Sequence, residues 1–363
     1  MTKRNDGTTR VAVNGKWLAQ SPSGTQRYAS QVMEAFCRER RGPVDMVLIL
    51  PADAPTPAWA TDLPVVRSRL RGSLFEQLAL PWLSRGRHLY SMAGPAPVLK
   101  RNQTVVMHDA MVFRLPESYR RAFVLWYALM YGVLSRTAER VLTVSSFSRD
   151  DLAHALHVDA QRFQIAPCGS DHLPPGAADG YVPPFDPGTF ALIVGNLAPH
   201  KNVGPVAAAL ADAGVPVAVV GVAQQVHRQA AVAEAATLRL LGRVDDAHLQ
   251  RLYADAGVLV APSRYEGFGI PLVEAGRAGC PTVFALGSAM TEVAGDGGLG
   301  YPADDTAECV RLVKNVLADP ALRGRLGERA RENAQRFTWA RTARVIFGNL
   351  DDKENAVGNG VAR

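Results

Sequence analysis

"SRYEGFGIPLVEAG", Ser263–Gly276, sets two carboxylates, Glu266 and Glu274, with seven residues between them, around a glycine-rich turn. The run before it, "GVLVAPS", is continuously apolar, as a strand covered on both faces must be. Gly267 and Gly269 lack Cβ atoms, so the backbone can adopt φ > 0 and a ligand can approach it closely. Pro271 suits the first turn of a helix expected from Pro271 to Ala278. Such a helix start offers unpaired N–H groups and a partial positive charge, which together hold a phosphate. Glu274 falls about one turn into that helix, on the side facing a ligand, and Glu266 stays at the strand end. Carboxylates placed apart in this way suit two separate hydroxyl clusters, such as those of a sugar and of a ribose. The alternative is a strand, turn and helix with incidental surface glutamates. The order E-G-F-G-x-P-x-x-E behind a buried strand favours the ligand-binding reading.

Outward from this stretch, short β-branched runs alternate with helical segments. "RVAVNG", "VDMVLIL", "TVVMHDA" and "RVLTVSS" read as strands in the first half; "FALIVGN", "VPVAVVG", "LRLLGRV", "GVLVAPS" and "PTVFAL" do so in the second. That alternation predicts parallel sheets with helices on both faces. Between the halves, "DHLPPGAADGYVPPFDPG" holds five prolines and no period, so it reads as a linker. The expected organisation is a disordered start over 1–10, an N-terminal Rossmann-like domain over 11–172 and a linker over 173–188. A second Rossmann-like domain over 189–335 follows, then a helix over 336–352 and a disordered tail over 353–363. Two doubly wound domains that face each other leave a cleft between the carboxyl ends of their sheets, where ligands bind on general grounds.

The 363 residues are enough for two domains, and 47% apolar with 20% charged residues is an ordinary globular composition. Four cysteines without a CxxC pair give neither a zinc site nor a disulfide framework, which fits a reducing cytoplasm. The first ten residues have no apolar core of the signal-peptide kind. The longest apolar run, Ala122–Leu134, is too short to span a bilayer. Residues 1–170 carry 22 Lys and Arg against 13 Asp and Glu, a net +9; the rest of the chain, from a total of +6, is −3. The basic half predicts an anionic partner, and an anionic membrane surface is one candidate. No nucleic-acid module is recognisable, so nucleic acid is not an expected partner. The expected location is cytoplasmic, with peripheral attachment to the inner face of the cytoplasmic membrane as its refinement. No D-x-D triplet occurs, which argues against divalent-metal chemistry of the kind such triplets serve.

The stretch "LGRVDDAHLQRLYADAGVLVAPSRYEGFGIPLVEAGRAGCPTVFA" resembles the donor domain of the retaining GT-B glycosyltransferases of family GT4, group 1, with its E-x7-E motif. "VGNLAPHKN" resembles that family's phosphate-binding loop, "VLTVSSFSRDDL" and "IAPCGSD" the end of its N-terminal domain, and "SGTQRYASQV" its first glycine loop. The likeness runs from about Val11 to Trp339 and is looser in the first half. It implies a GT-B fold of two Rossmann-like domains facing across a cleft, the first on the acceptor side and the second binding the nucleotide-sugar donor, with the last helix returning to the first domain.

By the same resemblance, Glu266 contacts the transferred sugar, and the backbone of Gly267, Phe268, Gly269 and Ile270 holds sugar and diphosphate. Glu274 would bind the ribose, and Lys201 would neutralise the leaving diphosphate. Gly24 lets the first helix approach a phosphate, and His108 stands at a strand end against the donor sugar. Many relatives carry arginine where this chain has Asn196, and some place one where it has His200. One phosphate cation is therefore missing, and His200 or Arg264 is the candidate substitute. The implied activity is metal-independent transfer of a hexose, mannose favoured, from a nucleotide diphosphate sugar to a glycan or lipid-linked acceptor. GDP-mannose is the favoured donor, with UDP- and dTDP-sugars behind it, and no cofactor is expected. A GT-B sugar-nucleotide 2-epimerase and a non-catalytic sugar-nucleotide-binding protein are the alternatives.

Overall fold

The computed structural model describes residues 10–21, 23–40, 44–174, 180–221, 236–348 and 350. The disorder expected over 1–10 and 353–363 lies outside the described residues except at Arg10, which opens a strand, and the helix expected over 336–352 is described as Trp339–Phe347, with 351–352 outside the described residues. The chain divides into two compact units, Met1–Pro167 with Trp339–Arg363, and Cys168–Thr338.

The first unit is built on β1 (Arg10–Asn14), β2 (Asp45–Pro51), β3 (Val65–Ser68), β4 (His88–Ser91), β5 (Gln103–Val106), β6 (Arg140–Thr143) and β7 (Phe163–Ile165). They pair in parallel in the order β3-β2-β1-β4-β5-β6-β7, with Val11 opposite Met46 on one side and His88 on the other. The apolar runs expected as strands are here, because a sheet covered on both faces needs side chains without polar atoms. β4, "HLYS", does not read as a strand, yet it is fully buried. Its His88 is satisfied on both ring nitrogens, Nδ1 by Asn102 at 2.5 Å and Nε2 by Thr104 at 2.8 Å. A polar residue becomes tolerable in a core once both of its ring nitrogens are partnered.

The last helix, Trp339–Phe347, belongs to this unit and lies along the helix Gly24–Glu39. Trp339 meets Tyr28 edge-on at 5.7 Å, and Phe347 packs on Phe36 at 4.2 Å and Tyr90 at 4.7 Å. The Arg140 guanidinium donates to the carbonyls of Ile346 and Val345 at 2.6 and 2.7 Å, placing a cation on the helix's C-terminal end.

The second unit is built on β8 (Ala191–Val194), β9 (Val217–Val220), β10 (Leu238–Gly242), β11 (Val258–Ala261), β12 (Thr282–Ala285) and β13 (Gly298–Tyr301). These strands pair in parallel in the order β10-β9-β8-β11-β12-β13. This unit starts at Cys168 and ends at Thr338, whereas the sequence suggests 189 and 335. Both ends are tied down, since the backbone N–H and the hydroxyl of Ser170 donate to the Phe337 carbonyl at 3.1 and 3.2 Å. The described part of 173–188 is not a free linker. Leu173 is buried in the core of this unit beside Phe190, and Tyr181 and Phe185 pack against the same cluster. The prolines remove any period, while one leucine and two aromatics supply enough apolar surface to hold the stretch down.

Among the described residues no helix is long and apolar enough to cross a membrane. The apolar segment singled out in the sequence is the helix Arg121–Thr137, whose Met130, Tyr131 and Leu134 are core residues. Its other side exposes Leu125 and Leu129, at 70% and 60%.

Trp339→Ala should destabilise the first unit by about 3–5 kcal/mol, the usual cost of emptying a large aromatic site. In a denaturant titration the transition of the first unit should move and that of Cys168–Thr338 should hold. A shift of both together would mean that the two units unfold as one.

Candidate active site

In each sheet the strand order reverses beside the first strand. In the second unit that point lies between β8 and β11, and loops leaving their carboxyl ends diverge around a crevice. After β8 the chain runs through Asn196 to a short turn, Pro199–Lys201, and then through Asn202 at φ 51° into the helix Val203–Asp212. After β11 it leaves through Ser263 and Arg264. The Arg264 N–H donates to the His200 carbonyl at 2.8 Å, which joins the two loops. That stitch brings Lys201 Nζ to 2.6 Å from Glu266 Oε1, with both side chains about one-fifth exposed. A small recess beside them is lined by Gly269, Pro271, Leu272 and Met290.

The glycine turn positions the next helix. Gly269 has φ 93°, and a Cβ there would fall 2.9 Å from Leu272 Cδ1, so both conformation and space call for glycine. Gly267 is not in that region. Phe268 is buried and meets Phe337 edge-on at 5.5 Å, so its ring anchors the turn in the core while its backbone stays in the loop. The helix runs Ile270–Ala278, with Pro271 in its first turn.

Glu274, in the second turn of that helix, is 3% exposed and so is not an incidental surface glutamate. Tyr253 Oη donates to its Oε2 at 2.7 Å, and His172 Nε2 stands 3.1 Å from its Oε1. A buried carboxylate needs such partners, since an unpaired one costs several kcal/mol. Neither partner is legible as such in the sequence: Tyr253 reads as one more apolar position of a helix, and His172 follows the glycine-containing "CGSD" without a motif of its own. Glu266 and Lys201 are thus together, and Glu274 sits a turn deeper in its own polar nest.

The substitute for the missing cation can be weighed directly. Burial first, and then the charge of Lys201, hold His200 below the usual histidine pKa, so it is neutral at pH 7. The Arg264 guanidinium is turned to Asp304 at 3.2 Å on an exposed side. Asn196 uses its side-chain oxygen to accept from the Ala198 N–H at 3.0 Å. Of the candidates in this loop pair, Lys201 is the cation at the crevice.

Gly24 and His108 belong to the first unit. Gly24 opens the helix Gly24–Glu39, and a Cβ there would meet nothing within 4 Å, so packing does not require glycine. His108 follows β5. Its Nε2 lies 2.8 Å from the Met92 carbonyl, and its ring meets Tyr28 edge-on at 4.8 Å. A carbonyl only accepts, so Nε2 carries the proton and Nδ1 keeps its lone pair. Burial pushes the His108 pKa down to about 4, against which the Met92 bond is the smaller effect. The ring is therefore neutral at pH 7.

Residues 183–333 match the family model described as "Glycosyl transferases group 1". The second unit is a group 1 glycosyl transferase domain. The chain is also 28% identical over 282 residues to the O-antigen chain mannosyltransferase B of Escherichia coli, covering 71% of this chain and 73% of that protein. Among solved structures, sucrose-phosphate synthase of Thermosynechococcus elongatus superposes with a TM-score of 0.68 at 18% identity, covering 92% of this chain and 96% of that one. HepE of Anabaena, solved with UDP-glucose, gives 0.68 at 18%, covering 94% and 99%. At that identity the likeness establishes the fold alone: the two parallel α/β units have the GT-B fold.

The neutral His108 makes a pH prediction. Its folded pKa lies below the unfolded value, so the unfolded chain takes up the proton first and stability falls as pH drops from about 6.5 towards 4. The ceiling for this one group is about 3 kcal/mol. His108→Gln should flatten that part of the stability profile measured by denaturant titration at each pH. Parallel wild-type and variant profiles would refute a half-buried neutral ring.

Proposed function

We propose that this glycosyltransferase moves a hexose, mannose first, from a nucleotide diphosphate sugar to an acceptor hydroxyl with retention of configuration. It would act in the assembly of a polysaccharide or lipid-linked glycan at the cytoplasmic face of a membrane. The observation that carries the reading is the Lys201–Glu266 pair at the strand reversal of the second sheet, beside the N-terminus of the helix Ile270–Ala278. Mannose is favoured by the E. coli relative's name, and a nucleotide-sugar donor by the UDP-glucose found with HepE.

In this reading, Lys201 exchanges Glu266 for the diphosphate, and Glu266 then accepts a hydroxyl of the sugar. The bond from the anomeric carbon to the phosphate oxygen breaks, and the bond to the acceptor oxygen forms on the same face. The acceptor proton passes to the departing phosphate oxygen, so no protein base is needed. Lys201 and the helix N-terminus meet the charge as it develops, where a fixed cation is worth most. The reading calls for no metal ion or cofactor. Glu274, oriented by Tyr253 and His172, would take the ribose diol. GDP-mannose is the first donor to test, with UDP- and dTDP-sugars after it. Product analysis without acceptor separates transfer from 2-epimerisation, and a chain that binds donor without consuming it would be a binding protein.

Lys201→Ala should lower kcat by about 100-fold or more while changing donor KM far less, because the leaving charge exists fully only in the transition state. Glu274→Ala should weaken nucleoside diphosphate binding by roughly one to two orders of magnitude, the cost of about 1.5–3 kcal/mol of charged hydrogen bonding. Calorimetry and steady-state kinetics read both. Equal losses of kcat and affinity at Lys201, or unaltered binding at Glu274, would remove those roles.

The membrane part of the proposal is supported by a face of the first unit other than the helix Arg121–Thr137. Leu70, Leu74, Leu78 and Trp82 are exposed at four-residue spacing, at 40%, 56%, 58% and 73%. Arg69 and Arg85 border the row and are exposed, whereas Arg67 is committed to the Pro51, Ala52 and Ala54 carbonyls and Arg87 to Asp45. Apolar side chains between cations suit the headgroup layer of an anionic bilayer. In co-sedimentation, vesicles rich in phosphatidylglycerol should retain the protein at low salt, and Trp82→Ser with Leu78→Ser should release most of it. Retention by neutral vesicles alone, or by none, would discard the membrane reading.

A further inference from the structure

A cleft of about 450 Å³ opens beside β3, the edge strand of the first sheet. Ser68, Leu70, Leu78, Ala79, Trp82 and Leu83 line it. The helical wall is α-helical over Gly72–Leu74 and Leu80–Leu83, with a π-helical turn, Phe75–Ala79, between them. Four residues exceed one turn of α-helix by about 40°, so a row at that spacing winds around the axis. The wider π-turn takes rotation back, and Leu74, Leu78 and Trp82 all stay exposed. The rest of the turn is fixed elsewhere. Phe75 is in the core, and Glu76 Oε1 accepts from Lys16 Nζ. Gln77 Nε2 donates to the Ala96 carbonyl at 3.1 Å, and its Oε1 accepts from the Val98 N–H at 3.0 Å. On the strand side, Ser68 Oγ accepts from the Leu70 N–H at 3.1 Å, which turns the chain at the end of β3. Both walls are therefore held from behind, and the cleft exists before any ligand arrives. Its volume falls in the range of small-molecule sites, about 300–1,000 Å³.

The surroundings of the cleft are basic. Arg67, at its edge, spends its guanidinium on the carbonyls of Pro51, Ala52 and Ala54 and on the Thr56 hydroxyl, and Arg71 faces Asp53 at 3.5 Å. Arg69, between Ser68 and Leu70, and Arg85, two residues after Leu83, are exposed. Among the described residues neither side chain has a hydrogen bond or ion pair.

We infer that this cleft holds the hydrocarbon chain of one anionic lipid, with its headgroup against Arg69 and Arg85. Apolar walls reject a sugar or a nucleotide, whose hydroxyls would lose water without gaining partners. Two uncommitted cations beside them favour an anionic amphiphile over a neutral or cationic one. The inference rests on the membrane reading and narrows it, from a face that lies on a bilayer to a site that takes a single molecule from it.

The test titrates the full chain with octyl, decyl and dodecyl phosphate below their micelle points, followed by calorimetry, with dodecyltrimethylammonium as the cationic control. One alkyl phosphate should bind per chain, and affinity should rise about fourfold per added methylene. Arg69→Glu with Arg85→Glu should weaken dodecyl phosphate about tenfold or more and keep the dependence on chain length. Leu78→Gln should flatten that dependence. These side chains are exposed, so the variants keep the fold. No binding, several molecules per chain, affinity indifferent to chain length, or dodecyltrimethylammonium bound as tightly as dodecyl phosphate would each overturn the inference. Retention on phosphatidylglycerol vesicles without binding of any alkyl phosphate would also overturn it and leave the membrane face standing. Alkyl phosphate bound one to one by a protein that ignores vesicles would instead discard the membrane reading and keep the site.

Discussion

A parallel sheet in which the chain returns to the far side of its first strand has one place where neighbouring loops must part. That constraint operates twice in this protein, between β1 and β4 and between β8 and β11. At each point a lysine from one side is held by a glutamate from another: Lys16 by Glu76, Lys201 by Glu266. The part-exposed Lys201–Glu266 pair is weak enough to exchange for a ligand, whereas Glu76, 1% exposed, depends on Lys16 to offset its burial.

The strands that could be read from the sequence are the ones whose side chains are uniformly apolar, such as β2, β8 and β11. Those that escaped have a local reason. β4 hides behind His88, whose polarity is cancelled only by Asn102 and Thr104, far along the chain. β13, "GLGY", offers two glycines where a pattern would need side chains, yet a Cβ on Gly298 would strike Thr282 of the adjacent strand. Lys201, Glu266 and the positive-φ turn at Gly269 were legible because they lie in short contiguous motifs. His172 and Tyr253 were not, since their meaning comes entirely from Glu274, 102 and 21 positions away in a chain folded back on itself.

The same distinction separates the two polar sites of the second unit. The pair Lys201–Glu266 is exposed enough to meet a ligand, while Glu274 is held in a nest that fixes its carboxylate before anything arrives. A carboxylate has about four acceptor positions. Tyr253 and His172 address one on each oxygen. Orientation of that kind lowers the entropy lost on binding.

The hydrogen bonds from Ser170 to Phe337 have a topological meaning. They bring the two ends of the second unit together, and in the chain this unit is an insert within the first. The stumps it leaves behind are also adjacent, because the Thr342 hydroxyl donates to the Pro167 carbonyl at 2.5 Å. A gene fragment covering Cys168–Thr338 would encode one uninterrupted polypeptide with its ends together, and a few residues would reseal the remainder between Pro167 and Trp339. Excision of one unit thus cuts no strand of either sheet, and a foreign domain with closely spaced ends could be spliced into the vacated position.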